Sequence, residues 1–153
     1  LDLYGMLLNK EPDRVYILRK TAACHHELGQ DDLFAENVAK AIDIDLDRYA
    51  EEPWRASINQ SLVRSYRLAG NDERAEAHLE AALHIGITRI TEHPDSASAA
   101  YSYGRTLQLA GRHEEAFEQF SRAYDMDRTS SRYRRAYFSA RARLSRASRQ
   151  EAD

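Results

Sequence analysis

Residues 93–127, HPDSASAAYSYGRTLQLAGRHEEAFEQFSRAYDMD, contain two helix-forming runs that meet at Ala110-Gly111. The chain carries two earlier versions of this unit. Gly29, Gly70 and Gly111 each follow Leu or Ala at a constant step (70 − 29 = 41; 111 − 70 = 41), and Pro12, Pro53 and Pro94 keep the same step. The apolar positions Val38, Leu79 and Phe120 recur with it, as do the small positions Ala41, Ala82 and Ala123. Turn residues and core residues sharing one period mark stacked supersecondary units, each too small to bury its apolar face alone.

Bulk properties narrow the class. At 153 residues the chain has single-domain length and can bury a sizeable core. With 42% hydrophobic and 31% charged residues and only 3 Pro, it reads as helix-rich and globular rather than disordered. No apolar run is long enough to span a bilayer, so a membrane-embedded role is not expected. The lone Cys24 excludes an internal disulfide framework and points to a reducing, cytoplasmic setting. The net charge of −3 conceals an asymmetry: residues 1–127 hold 14 basic and 23 acidic side chains, net −9, whereas residues 128–153 hold 8 Arg and 2 acids, net +6.

Taken in order, the chain reads as one domain, 1–153, made of helix pairs. Residues 1–11 superimpose at the 41-residue offset on 42–52, the late part of a helix, so they are expected to finish a preceding helix of a longer array. Repeat 1 covers 12–52. Its A helix begins near Asp13 and ends before Gly29, and its B helix, capped by Asp31 or Asp32, carries Phe34, Val38, Ala41, Ile42, Leu46 and Tyr49 at three- and four-residue steps. Pro53 stops it near residue 51. Repeat 2, 53–93, places Ile58, Leu62 and Tyr66 on helix A and Ala75, Leu79, Ala82, Leu83, Ile87 and Ile90 on helix B. Repeat 3, 94–128, is capped by Asp95 or Ser96 and has a shorter B helix whose apolar stripe ends at Tyr124. A last helix, 129–150, joins the stripe Tyr133, Tyr137, Ala140, Leu144 and Ala147 to seven arginines between Arg132 and Arg149. It aligns cleanly with no A helix and is expected to cap the array.

The segments GNDERAEAHLEAAL (70–83) and GRHEEAFEQFSRAY (111–124) resemble the turn and second helix of the tetratricopeptide repeat. Ala75 and Ala116 would let helix B lie close to helix A, Ala82 and Ala123 would admit the next A helix, and Gly104 would remove a side chain at the A–B contact. The resemblance covers roughly residues 13–128 and implies an all-α, right-handed superhelix of antiparallel helix pairs with a C-terminal capping helix. The family repeat has 34 residues, so each longer unit holds seven more (41 − 34 = 7), which fall between Gly and Pro in helix B. The aromatic that the family carries early in helix A is replaced by Leu18, Asn59 and Ala100.

Members of this family bind peptides or partner helices in a groove lined by their A helices. By position, the resemblance assigns that groove Tyr16, Arg19 and His26 from repeat 1, with Ala23 beside them, then Gln60, Arg64 and Arg67 from repeat 2 and Tyr101, Arg105 and Gln108 from repeat 3. Arg64 and Arg105 are one period apart, and an arginine ladder suits the carboxylates of an acidic peptide. The Lys/Asn clamp by which some members hold a C-terminal carboxylate is not reproduced, since Arg19, Ala23, Ser61, Ser98 and Ser102 occupy its positions.

Other chemistry finds little support. Cys24, His25, His26 and Glu27 are adjacent on a helix and point about 100° apart, so they do not converge on one metal. The remaining histidines form no i, i+4 pair. Cys24 lacks a partner base, and no glycine-rich phosphate loop is present. Asp43, Asp45 and Asp47 read as a solvated face. The arginine-rich tail could meet nucleic acid, but the acidic body opposes that, and docking on acidic repeats is preferred. The sequence therefore predicts a non-enzymatic protein-interaction module without cofactor or metal, part of a larger protein, that binds a peptide or partner helix in its concave A-helix groove. The alternative is a structural module that forms homo-oligomers through its chain ends.

Overall fold

The computed structural model describes residues 14–150, with side chains described as far as Arg146. The expected helix end at 1–11, the cap at Asp13 and the stripe residue Ala147 lie outside these bounds. Seven helices follow one another among the described residues: α1 Arg14–Glu27, α2 Asp31–Glu51, α3 Ala56–Leu68, α4 Asp72–Glu92, α5 Ala97–Leu109, α6 His113–Met126 and α7 Ser131–Gln150. None is long and apolar enough to cross a membrane. The chain divides into two compact units, 1–78 and 79–153, whose boundary falls inside α4.

The periodic glycines end α1, α3 and α5. Gly29, Gly70 and Gly111 adopt φ of 67°, 70° and 75°, the left-handed region that a Cβ penalises by about 1–2 kcal/mol. In each turn the following N–H reaches back to the helix, as Gln30 N does to the His25 carbonyl (2.9 Å), Asn71 N to Tyr66 (2.9 Å) and Arg112 N to Leu107 (2.9 Å). These wraps satisfy carbonyls that a helix end would otherwise leave bare, and they turn the chain into an antiparallel partner. Each partner helix opens with two acids in its first turn, Asp31 and Asp32, Asp72 and Glu73, Glu114 and Glu115, where the helix dipole favours negative charge. Asp31 and Asp32 sit inside that turn. The α2 cap position is Gln30, whose side chain instead meets His25 Nδ1 at 2.6 Å. Of the two candidates for α5, Ser96 is the cap, its Oγ accepting from Ala99 N.

In the first unit, Val15, Leu18 and Ala41 form one buried cluster with Ile44 against it, and Ile58, Leu62, Tyr66 and Ala75 form another with Ile42 and Tyr49. Asn59, which stands where an aromatic was expected, is fully buried. Its Nδ2 donates to the Pro53 carbonyl (3.2 Å), which turns Oδ1 towards His78 Nδ1 at 2.9 Å. The His78 ring stacks on Tyr66 (5.6 Å, 9°) and meets Tyr49 edge-on (5.2 Å, 89°). A hydrogen-bonded amide and imidazole thus fill the space of an aromatic ring without leaving a buried polar atom unpaired.

Asp45 departs from the solvated face expected for it. It is 1% exposed, with Arg19 Nη1 3.7 Å and Arg48 Nη1 3.8 Å away. Burial pushes its carboxyl above the ordinary aspartate range, against the pull of a Ser61 hydrogen bond and the two guanidiniums. Its equivalent one period later is Gly86, also buried, while the predicted stripe residues Leu46 and Ile87 are 36% and 50% exposed. The stripe continues four residues beyond Ala41 and Ala82 rather than five, so the glycine and the aspartate face inward.

In the second unit, Tyr103, Leu107, Ala116, Phe120 and Ala140 form the core, with Leu83, Ile90, Tyr101, Phe117 and Ala136 against it. Gly104 permits the α5–α6 approach as expected: a Cβ there would lie 2.8 Å from the Phe120 ring and 3.3 Å from the Ala116 carbonyl. Gly86 does the same for α4 and α5, a Cβ falling 2.3 Å from Tyr103 Cδ2.

α6 has 14 residues where α2 and α4 have 21, so the third repeat has dropped the seven-residue extension. That restores a 34-residue step to the last helix. Ser96 and Ser130 (130 − 96 = 34) both cap, Ser130 Oγ accepting from Tyr133 N at 3.4 Å. α7 therefore does align with an A helix, namely α5, once the shorter step is used. Its aromatic stripe packs on α6, with Phe117 and Tyr124 5.5 Å and 5.2 Å from Tyr137. Ala100 and Leu107 of α5 are buried, whereas their 34-residue counterparts Arg134 and Arg141 are exposed. A polar outer face of this kind is what a capping helix needs.

Candidate functional site

The nine expected groove residues fall into different settings. In the first unit, Tyr16 is 56% exposed with Lys20 Nζ 5.8 Å from its ring centroid, and His26 is exposed beside Phe34, the rings 5.2 Å apart. Arg19 is engaged internally: its Nη1 donates to Ser61 Oγ (2.8 Å), the Ser61 carbonyl (3.3 Å) and Ser65 Oγ (3.1 Å), close to buried Asp45. Gln60 is 1% exposed, a core side chain rather than a surface one. Arg64 is half-buried and donates to the Gln60 carbonyl at 3.0 Å, while Arg67 is exposed. The groove expectation for Arg19 and Gln60 thus meets a physical obstacle, because both are held by packing within their own unit.

One concavity of the first unit, about 460 Å³, is lined by residues of the α2 end and α3, including Asp45, Arg48, Glu51, Glu52 and Arg55. Each of its two arginines already faces a carboxylate. Arg55 Nη1 lies 2.6 Å from Glu52 Oε2, and Arg48 faces Asp45. None of the nine residues lines it.

The second unit contains a different cleft. Tyr101, Arg105 and Gln108, the three residues expected from repeat 3, line one space of about 390 Å³ together with Phe120 of α6 and Ser131, Arg132, Arg135, Ala136 and Ser139 of α7. No carboxylate lines it. Tyr101 forms the centre, its ring 5.9 Å from Phe120 and 5.3 Å from Tyr133. The guanidinium carbons of Arg105 and Arg132 lie 6.0 Å and 5.9 Å from its centroid, close enough for the π-face to attract both cations. Among the described residues, no acidic side chain pairs with Arg105, Arg132 or Arg135. α7 packs on its unit through its aromatic and alanine stripe, and among the described residues no salt bridge joins its arginines to the acidic repeats, contrary to what its charge had led us to expect.

The α7 contributors escaped detection because the 41-residue step breaks down in the third repeat. With the 34-residue step, Tyr101 maps to Arg135 and Arg105 to Ser139, so α5 and α7 present equivalent faces to one cleft. The histidine–cysteine run disperses as its spacing implied, with His25 buried against Gln30 and Cys24 exposed. Among the described residues no three His, Cys, Asp or Glu side chains form a metal-holding group.

Helix pairs closed by left-handed glycines, small residues at the close approaches and a polar terminal helix define an all-α helical-repeat protein of the interaction type. Residues 54–129, about half the chain, match the tetratricopeptide repeat family model. The chain belongs to the tetratricopeptide repeat family, whose members serve as protein-interaction modules. No protein of curated function matches it in sequence. Among solved structures it is similar to the first tetratricopeptide domain of human RPAP3, with 14% identity, 93% of this chain and 99% of that one covered, and a TM-score of 0.38. The Sgt2 tetratricopeptide domain from Aspergillus fumigatus is similar at 15% identity, covering 90% and 83%, with a TM-score of 0.44. The first such repeat domain of Spaghetti (RPAP3), bound to the HSP90 peptide SRMEEVD, is similar at 13% identity, covering 86% and 93%, with a TM-score of 0.36.

Proposed function

We propose that this chain is a non-enzymatic receptor for an acidic peptide or partner helix, working in the cytoplasm, with the α5–α7 cleft as its principal contact. One observation carries the reading: three arginines and Tyr101 line a single cleft that contains no carboxylate of its own. Uncompensated guanidiniums on an aromatic floor attract carboxylates through charge-assisted hydrogen bonds, while Gln108, Ser131 and Ser139 offer hydrogen bonds to an extended backbone. Tyr16, His26, Arg64 and Arg67 are separate candidate contacts within the first unit. The test is binding to an array of acidic and basic peptides, with parent and Arg105→Glu/Arg132→Glu variant compared at equal helicity. Binding of acidic peptides by the parent alone is expected; equal binding by both proteins would rule out the cleft. Self-association is the second reading, favoured by Phe138, which is 51% exposed beside Tyr124 on the α6–α7 face. A mass that rises with concentration and falls back on Phe138→Ser would support it.

A further inference from the structure

We infer that the α5–α7 cleft is a phosphate site, selecting a peptide that carries phosphoserine or phosphothreonine over one that carries only Asp or Glu. This rests on the peptide-receptor reading and narrows its ligand. Arg105, Arg132 and Arg135 bring three positive charges to a space of about 390 Å³ lined by no acid. One carboxylate would answer one of those charges. A phosphate monoester carries about −1.5 to −2 at neutral pH and presents three strong acceptor oxygens, which suits a cleft lined by arginines from two helices.

Two further features favour the more highly charged group. Tyr101 attracts both Arg105 and Arg132 through its ring, at 6.0 Å and 5.9 Å, so one aromatic side chain in the cleft holds two cations near it. Ser131 and Arg132 belong to the first turn of α7, which has no acid in it, so the positive end of the helix dipole adds to the same field. Asp127, in the loop just before α7, is engaged there, its Oδ1 accepting from Thr129 N (3.1 Å), Thr129 Oγ1 (2.7 Å) and Ser130 N (3.2 Å), and it does not line the cleft. The first unit's concavity shows the contrast, since its arginines face Asp45 and Glu52 and leave no comparable excess.

The experiment uses the chain as it stands and three degenerate nonapeptide pools that differ only at a fixed central residue, phosphoserine, Glu or Ser. Fluorescence polarisation is read for the parent and for Arg132→Ala/Arg135→Ala, both exposed positions whose loss should leave the helical signal intact. The parent should bind the phosphoserine pool at least about tenfold more tightly than the Glu pool, and the double variant should bring the two within about twofold. Equal affinity of the parent for phosphoserine and Glu pools would overturn the phosphate inference while leaving the acidic-peptide reading in place. A preference that survives the double variant would place the phosphate elsewhere and overturn it too. Failure of all three pools would remove both readings. Binding of a nine-nucleotide single-stranded RNA as tightly as the phosphopeptide pool would assign the cleft to nucleic acid instead.

Discussion

Gly86→Ala should destabilise the protein even though it replaces glycine by the best helix former in the middle of a helix. On an isolated helix the substitution would contribute about 1 kcal/mol of stability. Here the new Cβ would stand 2.3 Å from Tyr103 Cδ2 and 3.2 Å from Cε2 and Cγ, whereas ordinary contact begins near 3.4 Å. The clash is more than 1 Å deep, and Cδ2 lies next to the root of the ring, so no small rotation of the side chain removes it. Tyr103 is itself 6% exposed and packed in the core of the second unit, so α4 and α5 must separate or the ring must leave its rotamer. Overpacking of this kind costs about 3 kcal/mol. The net loss is therefore roughly 2 kcal/mol, which for a chain of this size lowers Tm by about 4–8 °C. Circular dichroism melts at 222 nm and urea titrations would read it. In a Tyr103→Leu background the obstacle is gone, and the same substitution should become neutral or stabilising. A Gly86→Ala single variant that melts higher than the parent would refute the close approach of the two helices.

Three smaller tests address the polar core and the caps. Ser96→Ala should cost about 1 kcal/mol in urea titrations, because Ser96 Oγ accepts from Ala99 N at the start of α5; a change under a few tenths would mean that this cap contributes nothing. Burial, with Arg74 second, lowers the His78 pKa, so the unfolded chain takes up its proton first and stability should be lost as pH falls below about 6.5. Measured against His78→Gln, the parent should weaken progressively between pH 7 and about 5, and parallel pH profiles would contradict the burial of a neutral imidazole. Asp45 has the opposite sign: its folded-state pKa is raised by burial, so its ionised form weakens the fold near neutrality and protonation restores it. The stability of the parent relative to Asp45→Asn should therefore improve as pH falls from about 7 towards 4, and a constant difference would show that the carboxyl is not desolvated.

Much of the fold was legible because its determinants are local and periodic. The left-handed turns at Gly29, Gly70 and Gly111, the helix stops before Pro53 and Pro94 and the close approach at Gly104 each follow from one residue's backbone or size, and repetition at one step made them mutually reinforcing. Tyr101, Arg105 and Gln108 were legible for the same reason, as one face of one helix. The rest required packing. Whether Asp45 points to water or into the unit depends on a one-residue choice in the stripe of a 21-residue helix, and composition gives it no signature. Arg19 and Gln60 looked like surface side chains because polarity alone does not reveal whether a partner such as Ser61 stands within hydrogen-bond reach. Most consequential was α7. Its sequence announced a basic helix with an apolar stripe, but the seven residues missing from α6 reset the step, and only the docking of Tyr137 on Phe117 and Tyr124 put Arg132 and Arg135 in the lining of the cleft that holds Arg105. The sequence by itself determined the repeating helix pairs, since hydrogen bonding and turn sterics act within a few residues. Tertiary structure decided which charges share a cleft, since that depends on the rotation of one helix about its axis against another.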